Sequence, residues 1–135
     1  MICIDTNVVI VTINRRNPAV ARRLAEALLH GIQVALPAIA LFELRYGYAR
    51  SDRPARMEAL LAEFLSPGIE VLPFGADDAA HAGDIRAHLE MRGEPIGWYD
   101  YLIAAQARRV GATLATANMR EFSRVPGLIV EDWSA

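Results

Sequence analysis

The sequence predicts an α/β domain in three layers: a central parallel sheet of four or five strands, covered by helices on both faces. Two observations carry this. Short β-rich runs alternate with helical patterns along the whole chain, and that alternation is the signature of a parallel sheet with helical crossovers. In addition, 135 residues at 53% hydrophobic content suit one compact domain with a sizeable core and leave no room for a second. Residues 1–135 are therefore read as a single domain, free of repeats, linkers and low-complexity segments.

The elements follow in order. Ile2-Cys3-Ile4 is a short β-rich run, and Asp5-Thr6-Asn7 opens a helix over roughly 6–13. Asn17-Pro18 starts a second helix that ends near His30-Gly31, where glycine is a natural cap. QVALP at 33–37 is a strand, and 38–50 is helical with Leu41, Leu44 and Tyr48 on one stripe. Arg53-Pro54 restarts a helix to about residue 65, which Ser66-Pro67-Gly68 breaks. IEVLPF is a strand, ADDAAHAGDIRAHLEMR a helix ended by Gly93, and EPIG a loop. Residues 98–110 form a helix, ATLAT a strand, and LIVEDW the last strand.

The net charge of −2 does not by itself suggest a nucleic-acid partner. All fourteen basic residues, however, are arginine, a side chain that forks onto phosphates and stacks on bases. Codon bias and ordinary solvated faces account for the same composition. No apolar run is long enough to span a membrane. The N-terminal MICIDTNVVIVTI lacks a basic n-region and is interrupted by Asp5, so it reads as core strand and helix start rather than a signal peptide. Cys3 is the only cysteine, which excludes an intrachain disulfide and fits a reducing, cytoplasmic setting.

In an open α/β sheet, ligands bind outside the carboxyl ends of the strands. Asp5 ends the first strand, and Glu43 lies about a turn into the helix after the second. Asp100 is in the first turn of a helix that follows a loop, and Asn118 comes just after the strand ending at Thr116. These four oxygen donors, far apart in sequence, are expected to converge on one sheet edge. Hard oxygen donors without histidine or cysteine suit Mg²⁺ or Mn²⁺ rather than zinc. Two of the acids have a ready structural reading: Asp5 as an N-cap, Asp100 as partner of a helix macrodipole. Glu43 resists one, because LFEL sets it among apolar neighbours in mid-helix.

IDTNVVI at 4–10, FELRYG at 42–47, GEPIGWYDYLIAAQA at 93–107 and TANMREFSRVPGLIVEDW at 116–133 resemble the PIN domain, and more narrowly the VapC-type toxins of bacterial toxin–antitoxin pairs. The resemblance runs nearly end to end. It implies a metal-dependent endoribonuclease whose acids map onto Asp5, Glu43 and Asp100, with Mg²⁺ or Mn²⁺ as cofactor. The family's fourth position, often Asp, is Asn118 here; Glu121, three residues on, offers the missing carboxylate through water. Ala40 stands where the family favours a hydroxyl, and Trp98 where proline is more usual. The resemblance further implies a homodimer, inhibition by a VapB-type antitoxin lying along a groove, and structured RNA, commonly tRNA, as substrate.

On this reading Asp5 and Asp100 hold metal directly or nearly so, and Glu43 acts through a bound water or as base. Thr6 and Thr116 orient ligands or phosphate, and Asn7 hydrogen-bonds Asp5 or its neighbours. Arg15, Arg16, Arg45 and Arg50 are candidate phosphate contacts, with Arg120 and Arg124 similar; solvated faces and salt bridges are equally open to each. His81 and His88, without a third ligand, make a poor metal site. Trp98 and Tyr99 are read as packing residues, with base stacking as the alternative. Among rival enzymes, phosphoaspartyl types and P-loop proteins need a lysine that the chain lacks. The remaining alternatives are a catalytically weakened domain that only binds RNA or antitoxin, and a DNA nuclease of the same fold, which generally needs a longer chain.

Overall fold

The computed structural model describes residues 1–66 and 68–134. In chain order the elements are β1 (Ile2–Ile4), α1 (Thr6–Ile13), α2 (Pro18–Leu29), β2 (Val34–Pro37), α3 (Ala38–Ala49), α4 (Pro54–Leu65), β3 (Glu70–Leu72), α5 (Ala76–Met91), α6 (Trp98–Arg109), β4 (Thr113–Thr116), α7 (Met119–Phe122) and β5 (Ile129–Asp132). The five strands form one sheet in the order β3-β2-β1-β4-β5, every neighbouring pair parallel. The expected alternation is therefore present, with the upper of the two strand counts. The break expected at Ser66-Pro67-Gly68 rests on Pro67, which lies outside the described residues.

The order of strands places the site. From β1 the chain steps outward to β2 and β3, then returns past β1 to β4 and β5. Right-handed crossovers in opposite directions put helices on both faces and open a crevice at the carboxyl ends of the two strands where the direction reverses. Those strands are β1, which ends at Ile4, and β4, which ends at Thr116. Both are buried to the end, with Cys3, Ile4, Leu114 and Ala115 wholly inaccessible. Burial also pushes the Cys3 thiol up to about 11, which leaves it an inert packing group.

Local chemistry explains the helix starts that face this edge. Asp5 caps α1 with its own carboxylate, and Asn17 caps α2 from its side chain with Pro18 at the first helical position. Helix α3 has Pro37 as its N-cap and no side-chain cap of its own. Its first turn is served instead by Gln106, from the third turn of α6. The Gln106 amide oxygen accepts from Ile39 N (3.3 Å), while its nitrogen donates to Leu72 O (2.8 Å) and Pro73 O (3.1 Å). The side chain is fully buried, so it ties α6 to the start of α3 and the end of β3. Gln106→Leu keeps the volume but removes the partner of three backbone groups, the Leu72 carbonyl fully buried and the other two partly so. It is expected to cost about 2–3 kcal/mol, read by urea denaturation; a loss under about 0.5 kcal/mol would assign the tie no weight.

The observed boundaries differ from the sequence reading in small ways. β3 is three residues rather than the six of IEVLPF, because this edge strand pairs only with Ala35, Leu36 and Pro37 of β2. α7 is not visible in the sequence; at four residues it is too short for any helical period to show.

Candidate metal centre

Asp5 sits where β1 stops and α1 begins and is 3% exposed. Its Oδ1 accepts from Val8 N at 2.9 Å and its Oδ2 from the Thr116 hydroxyl. That hydroxyl in turn accepts from Asn118 N at 2.8 Å, which turns its hydrogen onto Asp5. The structural reading of Asp5 as an N-cap is thus realised, but it uses only one side of the carboxylate. Burial raises its pKa and the charge of Glu43 adds to the rise, against the hydrogen bonds from Thr116, Val8 and the Asn7 backbone.

Glu43 comes from the middle of α3 and is half-buried. The Thr6 hydroxyl, first residue of α1, donates to its Oε1 at 2.7 Å. One oxygen is fixed and the other is left for the cleft. Asn7 lines the same cleft but is exposed.

Asp100, third residue of α6, meets another acid. Its carboxyl lies against that of Glu121 from α7, and the Asn118 side-chain nitrogen donates to Glu121 Oε2 at 3.2 Å. Burial first, then the hydrogen bond and charge of Glu121, then the charges of Glu43 and Asp5, push the Asp100 pKa up to about 7. Such a rise is what several carboxylates brought together without a countercharge produce.

Asp5, Thr6, Asn7, Ile10, Glu43, Asp100, Ile103, Asn118 and Phe122 together line one open cleft of about 370 Å³. Asp5, Glu43, Asp100 and Asn118 therefore meet at the carboxyl edge of the sheet, with Thr116 and Glu121 reaching the cluster through hydrogen bonds. Asn118 donates through its amide nitrogen to Glu121 and through its backbone N–H to Thr116, which leaves its carbonyl oxygen as the one lone-pair donor it offers the cleft. Among the described residues no three acid, histidine or cysteine side chains converge on one point as a preformed ion cage. The donor set nonetheless fits a hard divalent cation, since its ligating atoms are all oxygens and two of the acids are held above their ordinary pKa by burial and by one another.

The arginines lie elsewhere. Among the described residues none lines this cleft. Arg45 reaches Glu58 loosely at 3.8 Å, and Arg50 donates to the Tyr46 hydroxyl (2.9 Å) while its guanidinium lies over that ring. Arg15 lines a separate groove beside Thr12 and Ile13, and Arg16 and Arg120 are exposed. Arg124 donates to Pro95 O at 3.0 Å and faces Glu94, so it braces the loop before α6. His81 accepts through Nδ1 from Arg108 Nε at 2.9 Å rather than standing free in solvent. Tyr99 packs edge-on against Phe42 with ring centres 5.3 Å apart, and Trp98, 70% exposed, carries the Arg86 guanidinium over its face.

Two features of the centre escape sequence reasoning. Gln106 leaves one signal, a lone amide within an alanine run facing the core. The direct Asp100–Glu121 contact is the other: the sequence brings Glu121 to the cluster as the substitute carboxylate beside Asn118, but the pairing with Asp100 depends on the packing of α6 and α7.

Comparison with known proteins places the chain's sequence and fold. The family model described as "PIN domain" matches residues 2–128. The "tRNA(fMet)-specific endonuclease VapC" of Shigella flexneri is 40% identical over 131 residues, covering 97% of this chain and 96% of that protein. "Ribonuclease VapC2" of Rickettsia felis is 37% identical over 130 residues, covering 96% of each. Among solved structures, VapBC2 from Rickettsia felis bound to a DNA fragment from its promoter matches with a TM-score of 0.91 at 35% identity, over 98% of this chain and 99% of that one.

Proposed function

The chain belongs to the PIN-domain family, alongside the VapC ribonucleases, and from that premise we propose that it is the toxin of a toxin–antitoxin pair, a divalent-metal-dependent endoribonuclease that hydrolyses structured RNA, tRNA foremost. One observation carries the reading: Asp5, Glu43 and Asp100, from three separate elements, line one cleft at the carboxyl edge of the sheet.

Mg²⁺ or Mn²⁺ is the proposed cofactor, held by Asp5 and Asp100 with Glu43 close by. When bound, such an ion lowers the pKa of water and balances charge on the phosphate under attack. The chain's own residues do the rest. Asp5 is locked by Val8 N and Thr116, so it offers a fixed carboxylate. Glu43, with one oxygen held by Thr6, turns the other to the cleft to take a proton from water. Glu121 supplies the negative charge that Asn118 lacks, and Asn118 aims it. Arg15, Arg16, Arg45 and Arg50 remain proposed phosphate contacts along the RNA, outside the cleft itself.

A route for an inhibitory partner leads out of the same cleft. Ile10 and Glu43 are shared with an adjoining apolar hollow, and Ile13 joins that hollow to a groove between α1, α2 and α4 lined by Leu24, Leu28, Leu60 and Phe64. An antitoxin segment with apolar side chains would lie there and bring a basic side chain to the acids. We further read residues 1–135 as a single domain, homodimeric and cytoplasmic; among the described residues no helix is long and apolar enough to cross a membrane.

The test is incubation of purified, antitoxin-free protein with total tRNA in millimolar Mg²⁺ or Mn²⁺, with EDTA in parallel. Discrete fragments that vanish in EDTA are expected. RNA that stays bound but uncut in both would favour a weakened domain that only binds, the alternative raised by Asn118.

A further inference from the structure

Two helices of this chain start in the same way, with glycine at the N-cap and aspartate three residues on: Gly75 and Asp78 at α5, Gly97 and Asp100 at α6. The two pairs do different work. Asp78 is buried and accepts from Gly75 N at 2.7 Å and from Arg109, so its carboxylate belongs to the scaffold. Asp100 leans toward Glu121 and the acid cleft. The space over each glycine differs accordingly. A Cβ at Gly75 would meet Asp78 Oδ2 at 4.0 Å, an ordinary contact. A Cβ at Gly97 would lie 2.9 Å from Asp100 Oδ2, closer than such atoms approach, with Cγ at 3.4 Å behind it.

Backbone conformation does not call for glycine at residue 97. Its φ of −58° and ψ of 147° suit any amino acid. Nor can its backbone easily retreat. Gly97 O accepts from Asp100 N (3.0 Å) and Tyr101 N (3.2 Å). The residues just before it are pinned as well: Ile96 N donates to the Tyr101 hydroxyl (3.1 Å) and Arg124 to Pro95 O (3.0 Å). With the loop held at these points, the Asp100 carboxyl is the group that yields to any side chain at 97.

We propose that Gly97 is a positioning residue of the metal centre: its missing side chain is the space that lets the Asp100 carboxylate fold back over the first turn of α6 and face Asp5 and Glu43. The inference rests on Asp100 as a metal ligand, as proposed above.

The experiment compares Gly97→Ala, Gly75→Ala and Asp100→Asn in the full chain. Mn²⁺ affinity is measured by calorimetry, tRNA cleavage is resolved into kcat and KM, and melting is followed in EDTA. Both alanine variants change an N-cap glycine, so Gly75→Ala controls for the loss at a helix start. Gly97→Ala is expected to melt within a few degrees of the parent, to bind Mn²⁺ about tenfold or more weakly, and to lose kcat by a similar factor with KM little changed. Gly75→Ala is expected to match the parent in metal binding and kcat. A Gly97→Ala protein with parental Mn²⁺ affinity and kcat overturns the inference, as does an equal loss in Gly75→Ala. Asp100→Asn separates the two layers. If it binds Mn²⁺ like the parent, the assignment of Asp100 as a ligand falls and takes this inference with it. If it loses Mn²⁺ while Gly97→Ala does not, only the role of Gly97 falls.

Discussion

Asp5→Asn is expected to lower RNA cleavage by about 10³-fold while leaving the fold standing. The size follows from what a carboxylate in such a centre supplies: a bound divalent ion contributes several kcal/mol of charge stabilisation, and each 1.36 kcal/mol is about tenfold in rate. The intact fold follows from the local geometry. Asparagine keeps an oxygen for Val8 N, so the cap of α1 survives, and its amide can donate to the Thr116 hydroxyl that formerly donated to Oδ2. The swap also removes a charge from a group only 3% exposed. In EDTA the variant should therefore melt no lower than the parent, because burying an ionised carboxylate is costly and burying a hydrogen-bonded amide is much less so. Cleavage and melting together give the test its edge. Loss of both would mark Asp5 as a scaffold residue, and retained cleavage would remove it from the centre.

The second large effect is a pH dependence that metal reverses. Burial first, and then the neighbouring Glu121, Glu43 and Asp5 with no countercharge beside them, push the Asp100 carboxyl up to about 7 from its ordinary 3.8. A carboxyl raised in the folded state favours folding while it is protonated. That contribution is complete below the unfolded pKa and is lost as pH rises through the folded one. Asp5 is shifted in the same direction. In EDTA the melting temperature should accordingly fall between about pH 5 and pH 8. Asp84 and Asp132 are shifted the opposite way, below 3.8, so their effect lies beneath this window. The full Asp100 shift corresponds to about 4 kcal/mol, but the side chain is only half-buried, and screening reduces this to about 1–2 kcal/mol, or about 3–6 °C. Millimolar Mg²⁺ should recover the loss at pH 8 and do little at pH 5, where protons hold the acids. A melting temperature that is flat or rising across this window in EDTA, or indifferent to Mg²⁺ at pH 8, would count against a metal centre here.

Much of this was legible in the residues. Strands were marked by apolar runs, helices by Asn17-Pro18, Arg53-Pro54 and the glycines after them, and the site by the rule that open sheets bind at their carboxyl edge. Asp5, Glu43, Asp100 and Asn118 could be brought together on that rule alone. What stayed hidden depends on pairs far apart in the chain. Gln106 serves Ile39, 67 residues away, and only tertiary packing reveals that α3 lacks a cap of its own. Asn118 reads as a weakened ligand until its amide is found on Glu121. The arginines read equally as phosphate contacts and as salt-bridging faces, and only the fold shows that Arg45 reaches Glu58, Arg50 the Tyr46 ring and hydroxyl, and Arg124 the loop before α6. Long flexible side chains carry no period from which their neighbours can be inferred.

The position of β1 in the middle of the sheet also sets when the enzyme comes into being. Asp5 is made well before the hydroxyl that fixes it, which belongs to Thr116, 111 positions later. Asp100 and Asn118 also follow far behind Asp5, and β1 gains its second neighbour only once β4 is made. Contacts of such sequence separation form late and slowly. A fragment that stops short of β4 lacks the strand that pairs β1 and the hydroxyl that fixes Asp5, and it is expected to cleave no RNA. A site assembled in this order closes only once β4 is in place, which gives a partner made alongside it time to be waiting.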